Sequence, residues 1–449
     1  MCHGIRPADR PANAYGAPPM NGHPAPPPRV PLPGDAGAHH RLWVNRITGM
    51  PWWGWLGVPL LAWLVSRVFV TATGLIASLA FGRAEIGLDQ AVPGALDLFG
   101  SWDTTWYLDI ARRGYAFDVG QVGEVFTNVA FFPLLPAIMW AAFAVGLNPF
   151  WVSLVVGNGF FLVALIALYH LTRDRFGRAM ATRATWVLAL APPAVAASMA
   201  YTEGITLGLA ALAGYLAWKG RFGWAGAVAA VAVLTRPTGV LVVLPVVMLA
   251  WHLGPEGRRR RMLMSVAPAV VVMVAFLGYM QFRQGAWSLP LQAQAAWGRG
   301  QLGVGLLSLL PTDVGQALGG LFGGDLIGSR DLLGKESISQ LSGLGVGDWS
   351  AVARDVLFGS AYVFLLIRLW RSEGGLRSPW VMYAFVVLIV PLSSGSVTSF
   401  ARLGLLAFPL VWPMAQWLGE GGPGRGRKTA ALALVATALL ITQLTIQSP

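Results

Sequence analysis

Asp97-Leu98-Phe99-Gly100-Ser101-Trp102-Asp103-Thr104-Thr105-Trp106-Tyr107-Leu108-Asp109-Ile110-Ala111-Arg112-Arg113-Gly114-Tyr115, then an irregular segment, then Phe131-Phe132-Pro133-Leu134-Leu135-Pro136, form a polar island of about forty residues behind the first apolar run. The island bears carboxylates, and most of the remaining chain is apolar. The side of a membrane on which it lies fixes the topology of everything else.

The 449-residue chain is 55% hydrophobic and 12% charged, where a soluble domain carries about 25% charged residues. Apolar runs recur from Trp52 to Leu444, several near the roughly 20 residues needed to cross a bilayer core as helix. An all-α polytopic membrane protein follows; a barrel would show short alternating strands. The net charge of +12 sits in short basic clusters between apolar runs, the pattern of the positive-inside bias and not of a nucleic-acid surface. The single cysteine, Cys2, excludes an internal disulfide, a cysteine-based metal cluster and a cysteine redox couple.

Residues 1–50, rich in Pro, Gly and Ala and without an apolar signal-peptide core, read as a disordered cytoplasmic tail. His39 and His40 lie there without further metal ligands. The rest, 51–449, reads as one transmembrane domain. Arg41 and Arg46 place the start of the first run, Trp52 to Phe81, inside the cell. Residues 82–149 then form a first external loop. Basic clusters around Arg173, Lys219, Arg258, Arg368 and Arg425 are all cytoplasmic if the runs between them pair as 184–199 with 204–218, 224–235 with 238–252, 263–282 with 352–367, and 380–393 with 403–418. With 151–171 and 429–444 this gives about 11 crossings. The segment 131–147 must stay out of that count to preserve parity, so it is expected to lie along or dip into the outer leaflet. A second long external loop covers 284–351. Arg67 falls inside the first crossing, where it calls for a buried partner or a polar site.

Most carboxylates fall on the external side, and so should the chemistry. Asp103, Trp106, Tyr107 and Ile110 recur at helical spacing and share a face, while Asp109 points elsewhere. A carboxylate beside Trp102, Trp106 and Tyr107 suits a general base facing a sugar stacked on aromatic rings; an interfacial aromatic belt with an incidental charge fits the spacing equally. Glu203, after Tyr201 and Thr202, reads as support for Asp103 or as a charge placed by the dipole of the following helix. Arg236, in Thr235-Arg236-Pro237-Thr238-Gly239, interrupts an apolar stretch, and Arg402 precedes another. Each suits a lipid phosphate or a lipid headgroup. Gly204 and Gly208 read as close helix packing. No Walker A loop, dinucleotide fingerprint, Gly-x-Ser-x-Gly elbow or His-Glu-x-x-His occurs.

Trp102-Asp103-x-x-Trp106-Tyr107-x-x-Ile110-Ala111-x-x-Gly114-Tyr115, then Ala130-Phe131-Phe132-Pro133-Leu134-x-Pro136, Tyr201-Thr202-Glu203 and Leu234-Thr235-Arg236-Pro237-Thr238-Gly239, spread over about 140 residues, resemble the bacterial members of the PIG-V mannosyltransferase family. Similarity fades after about residue 255, with a counterpart at Phe400 to Pro409. The family's Tyr-Ser-Glu is here Tyr-Thr-Glu, which keeps the acid. The resemblance implies a GT-C-type bundle with a helical first external loop and an external site. There a polyprenyl-phosphate-mannose donor would meet a glycan or glycolipid acceptor among membrane lipids, with Asp103 as the catalytic carboxylate. The chemistry of the residues adds Glu203 to the catalytic set, Arg236 at the donor phosphate with Arg402 as backup, and Trp102, Trp106, Tyr107 and Tyr201 around sugar or acceptor. The pattern requires no cofactor and leaves a divalent metal open. A glycolipid transporter or flippase, a scaffold, or an enzyme for another polyprenyl-phosphate sugar are the competing readings.

Overall fold

A computed structural model describes residues 53–81, 98–297, 346–392 and 399–446. The tail 1–50 and most of the 284–351 loop lie outside the described residues. Those described form an all-α polytopic membrane protein without a strand.

The helices are α1 (Trp53–Phe81), α2 (Asp103–Arg113), α3 (Leu134–Ala144), α4 (Pro149–Phe176), α5 (Arg178–Leu190), α6 (Glu203–Trp218), α7 (Phe222–Val233), α8 (Val243–His252), α9 (Arg258–Gln284), α10 (Leu289–Gln292), α11 (Val346–Glu373), α12 (Pro379–Leu392), α13 (Phe400–Gly404), α14 (Val411–Glu420) and α15 (Gly422–Ile446). Four of them, within α1, α4, α9 and α15, are singly long and apolar enough to cross a membrane. The 28 residues of α4 extend about 42 Å at the α-helical rise. Local signals bound α4 at both ends. Asn148 accepts the Phe150 N–H at 2.9 Å, Pro149 occupies the first turn, and Gly177 ends the helix at φ 86°.

Other expected crossings are shorter or broken. Residues 184–199 divide into α5 and the 3-10 helix Pro192–Ser198, which Pro192 and Pro193 start, and that piece meets α6 at a bend of 103°. Residues 403–418 divide into the end of α13, a 3-10 turn at Phe408–Leu410 and α14. The segment expected in the outer leaflet holds α3, whose eleven residues fall short of the roughly 17 that a crossing needs.

The core is the α4/α6 pair, with α7 beside α6 and α9 against α7. Its glycines let backbones meet: a Cβ at Gly204 would stand 2.5 Å from the Gly157 carbonyl oxygen, and one at Gly208 would run into the Phe160 carbonyl. The expected Gly-x-x-x-Gly face is thus the α4 contact. It fixes α6, whose two ends carry different charge sets. Glu203 opens the helix, while Lys219, just past its other end, pairs with Asp174 at 2.9 Å.

Two arginines with buried side chains are held by partners within the bundle. Arg67 on α1 is buried, donates from Nη1 to the Ala194 carbonyl and to Ser198 Oγ, both at 2.9 Å, and lies over the Phe161 ring. It thereby ties α1 to the 3-10 segment that leads into Tyr201-Thr202-Glu203. At the other end, Arg175 pairs with Glu373 at 2.7 Å.

Candidate active site

Asp103 is the first residue of α2, in the turn entered through Trp102 at φ 49°. The helix, 103–113, covers the residues whose spacing is helical in the sequence. Its face is as read: Tyr107 and Ile110 are buried, while Asp103 and Trp106 are half-buried. Asp109, off that face, pairs with Arg113 and accepts from Asn128 Nδ2 at 2.7 Å.

Glu203 is the first residue of α6, where an acid meets the positive end of the helix dipole. Arg236 stands in extended backbone between α7 and the 3-10 helix Pro237–Val242. Pro237 supplies no N–H to continue α7, and Gly239 lets the chain pass so close to the Ala232 carbonyl that a Cβ would collide with it. Arg402 lies on α13, which follows Ser399 at φ 64°. Among the described residues, Trp102 and Ser399 are the two non-glycine positions with positive φ. One precedes Asp103 directly and the other precedes Arg402 by three residues. Left-handed backbone in a side-chain-bearing residue costs about 1–2 kcal/mol and is held by surrounding structure, often at functional sites.

These four charged side chains, read separately from sequence, meet. Arg402 Nη1 lies 2.6 Å from Asp103 Oδ2 and 3.5 Å from Glu203 Oε1, and Arg236 Nη1 lies 3.0 Å from the same Glu203 oxygen. The result is an alternating row: Asp103, Arg402, Glu203, Arg236. Glu203 is 1% exposed, while Asp103, Arg236 and Arg402 keep 14%, 11% and 20%. The row therefore has a closed back and an accessible front. Breaking a buried pair of this kind costs about 3–5 kcal/mol. Burial pulls the Arg402 pKa down, but Asp103 and Glu203 more than offset it and hold the guanidinium well above its ordinary value.

One donor is left unused: Arg402 Nε is buried without a hydrogen bond, whereas Arg236 Nη1 and Glu203 Oε1, also buried, meet as an ion pair without hydrogen-bond alignment. The aromatic residues surround the row in two ways. Tyr201, buried, lies under the Arg402 guanidinium at 4.9 Å. Tyr107, also buried, approaches Thr202 Oγ1 at 3.4 Å, and burial reinforced by Asp103 and Glu203 pushes its phenol up. Trp106, half-buried, stacks on Phe131 at 5.8 Å, and Trp102 packs partly on the core.

Two contributions went unread in the sequence. A threonine relay supports the row: Thr235 donates to the Ala232 carbonyl at 2.6 Å, and Thr206 Oγ1 lies 2.8 Å from the Thr202 carbonyl and 2.9 Å from Thr235 Oγ1, its single proton shared between the two acceptors. It links the α6 start to the residue before Arg236, and the adjacency of Thr202 to Glu203 and Thr235 to Arg236 was its only trace. Asp355, on α11, accepts backbone N–H groups at Ser399 and Ala401. Among the described residues, no group of three or more His, Cys, Asp or Glu is placed to hold a metal.

Fold and site thus define a membrane-type helical bundle with a charged row at one end of its central helix. No family model matches the chain, and no curated protein matches it. Among solved structures it is similar to an oligosaccharyltransferase from Archaeoglobus fulgidus, crystallised with zinc and sulfate, at 13% identity and a TM-score of 0.44, over 84% of this chain and 53% of that one. The chain spans about half the length of that protein. A likeness this distant says nothing of activity, and the PIG-V resemblance rests on the motif residues alone.

Proposed function

We propose that the chain is a GT-C-type membrane glycosyltransferase. It transfers mannose from a polyprenyl-phosphate-mannose donor to a lipid-linked glycan or another cell-envelope acceptor, at the extracytoplasmic face of the plasma membrane. The observation that carries this reading is the alternating row, in which two guanidiniums flank one closed carboxylate and Arg402 keeps a buried Nε free of hydrogen bonds. Charged, desolvated guanidinium donors suit a phosphate, which they can hold through paired N–H groups without losing charge.

The chemistry is a single displacement. Arg402 and Arg236 hold the donor phosphate and stabilise the charge it gains. The acceptor hydroxyl oxygen bonds to the anomeric carbon from the side opposite the phosphate, as the bond from that carbon to the phosphate oxygen breaks. The bonding pair leaves with the phosphate, the hydroxyl proton passes to Asp103, and the anomeric configuration inverts. Glu203, closed off behind the row, keeps both arginines in place. Trp102 and Trp106, half-buried at the same helix end, offer ring surface to the sugar.

The test uses the purified full chain in lipid nanodiscs with labelled polyprenyl-phosphate-mannose and candidate acceptors. Wild type transfers the label, and Asp103→Asn, equally expressed, loses about 10²–10⁴ in rate. Transfer by Asp103→Asn at the wild-type rate would remove Asp103 as base. Donor binding without transfer to any acceptor favours a glycolipid transporter or scaffold, and faster turnover of another polyprenyl-phosphate sugar reassigns the donor.

A further inference from the structure

We infer that Asp355, remote in sequence from the motif residues, is the positioning residue for Arg402; the inference rests on the phosphate-holding role proposed for that arginine. Asp355 on α11 is 2% exposed. Its Oδ2 accepts the Ser399 N–H at 3.0 Å, its Oδ1 accepts the Ala401 N–H at 2.8 Å, and Arg354 Nη2 pairs with Oδ2 at 3.0 Å. The two bonds straddle Phe400 and end one residue before Arg402. Both are charge-assisted, about twice as strong as bonds between neutral groups.

A five-residue helix has little hold on its own conformation, and α13 is five residues long. It is entered through Ser399 in the left-handed region, a conformation that the Asp355 bonds to Ser399 and Ala401 hold in place. Seven residues further along α11, Tyr362 donates its hydroxyl to the Ala401 carbonyl at 2.7 Å, and its ring fills the space where Gly404 lacks a Cβ. One helix therefore grips α13 from both ends, with the carboxylate on the side leading to Arg402. The direction of the Arg402 side chain, toward Asp103 and Glu203, is set by this grip.

Two measurements on the full chain test the inference. The first is a density map of Asp355→Ala in nanodiscs: the Arg402 guanidinium is expected to leave Asp103, and a guanidinium still within ion-pair distance overturns the inference. This readout does not depend on the reaction. The second is the affinity for polyprenyl phosphate in a double-mutant cycle. Asp355→Ala weakens binding by about tenfold, Arg402→Ala weakens it at least as much, and the double variant is no weaker than Arg402→Ala alone. Effects that multiply, or an unchanged affinity in Asp355→Ala, overturn positioning. If Arg402→Ala itself leaves binding unchanged, the phosphate role of Arg402 falls while the map still decides what Asp355 does. Asp355→Asn, which retains one oxygen acceptor, gives an intermediate loss and serves where Asp355→Ala does not fold.

Discussion

Arg402 Nη1 stands 2.6 Å from Asp103 Oδ2, joining the two ends of a site whose residues lie almost the whole domain apart in sequence. A carboxylate engaged with a guanidinium is a poor acceptor for a hydroxyl proton, so the empty site holds its proposed base in check. A donor phosphate drawing Arg402 away would free Asp103. Binding should therefore be ordered, donor first. Acceptor affinity, measured by titration with and without polyprenyl phosphate, should rise when the phosphate is present; equal affinities would argue against the order.

Glu203 bridges two arginines from a closed position, and its loss leaves Arg236 without its carboxylate partner while Arg402 keeps Asp103. Glu203→Ala should cost about 3–5 kcal/mol, read as a lowered thermal midpoint in detergent. Asp103→Asn, at the accessible front and still able to offer an oxygen to Arg402, should change the midpoint far less. Similar midpoints for the two variants would contradict the closed-back geometry.

Arginine at 402 and 236 is argued to act through its planar donor fork. Arg402→Lys and Arg236→Lys keep the charge and lose that geometry. Each should raise the donor KM by about tenfold with a smaller fall in kcat. Full activity of both variants would reduce the arginines to simple charge balance.

The α4/α6 contact positions Glu203 through Gly204 and Gly208. Adding a methyl at either would press on the Gly157 or Phe160 carbonyl and cost about 1–3 kcal/mol by overpacking. Gly204→Ala, one residue from Glu203, should also depress transfer. Gly223→Ala, with nothing within 4 Å of its added carbon, should match wild type in both assays.

How much of this was legible in the sequence follows from the range of the forces involved. Helix periodicity is local, so α2 and its Asp103 face could be read within a residue or two. Hydropathy is also local but blind to breaks: apolar composition continues through Pro192 and Pro193 and through Ala407 to Leu410, where the backbone turns into 3-10 helix. The charged residues could be nominated singly because charges next to apolar spans are costly. Their pairing across the bundle could not, since no sequence spacing encodes the approach of Arg402 to Asp103. Asp355 could not be singled out from the other carboxylates, because its partners are backbone N–H groups that any sequence would supply.

The row of two carboxylates and two guanidiniums sums to no formal charge. An empty site of this kind can sit at the edge of an apolar bundle without recruiting a counter-ion. During the proposed transfer, the phosphate gains one negative charge as it departs and Asp103 loses one by accepting the proton. The electric field felt by the surrounding lipid is then nearly the same before and after turnover, and the product phosphate is released from a site one positive charge richer, which resets when Asp103 returns its proton to water.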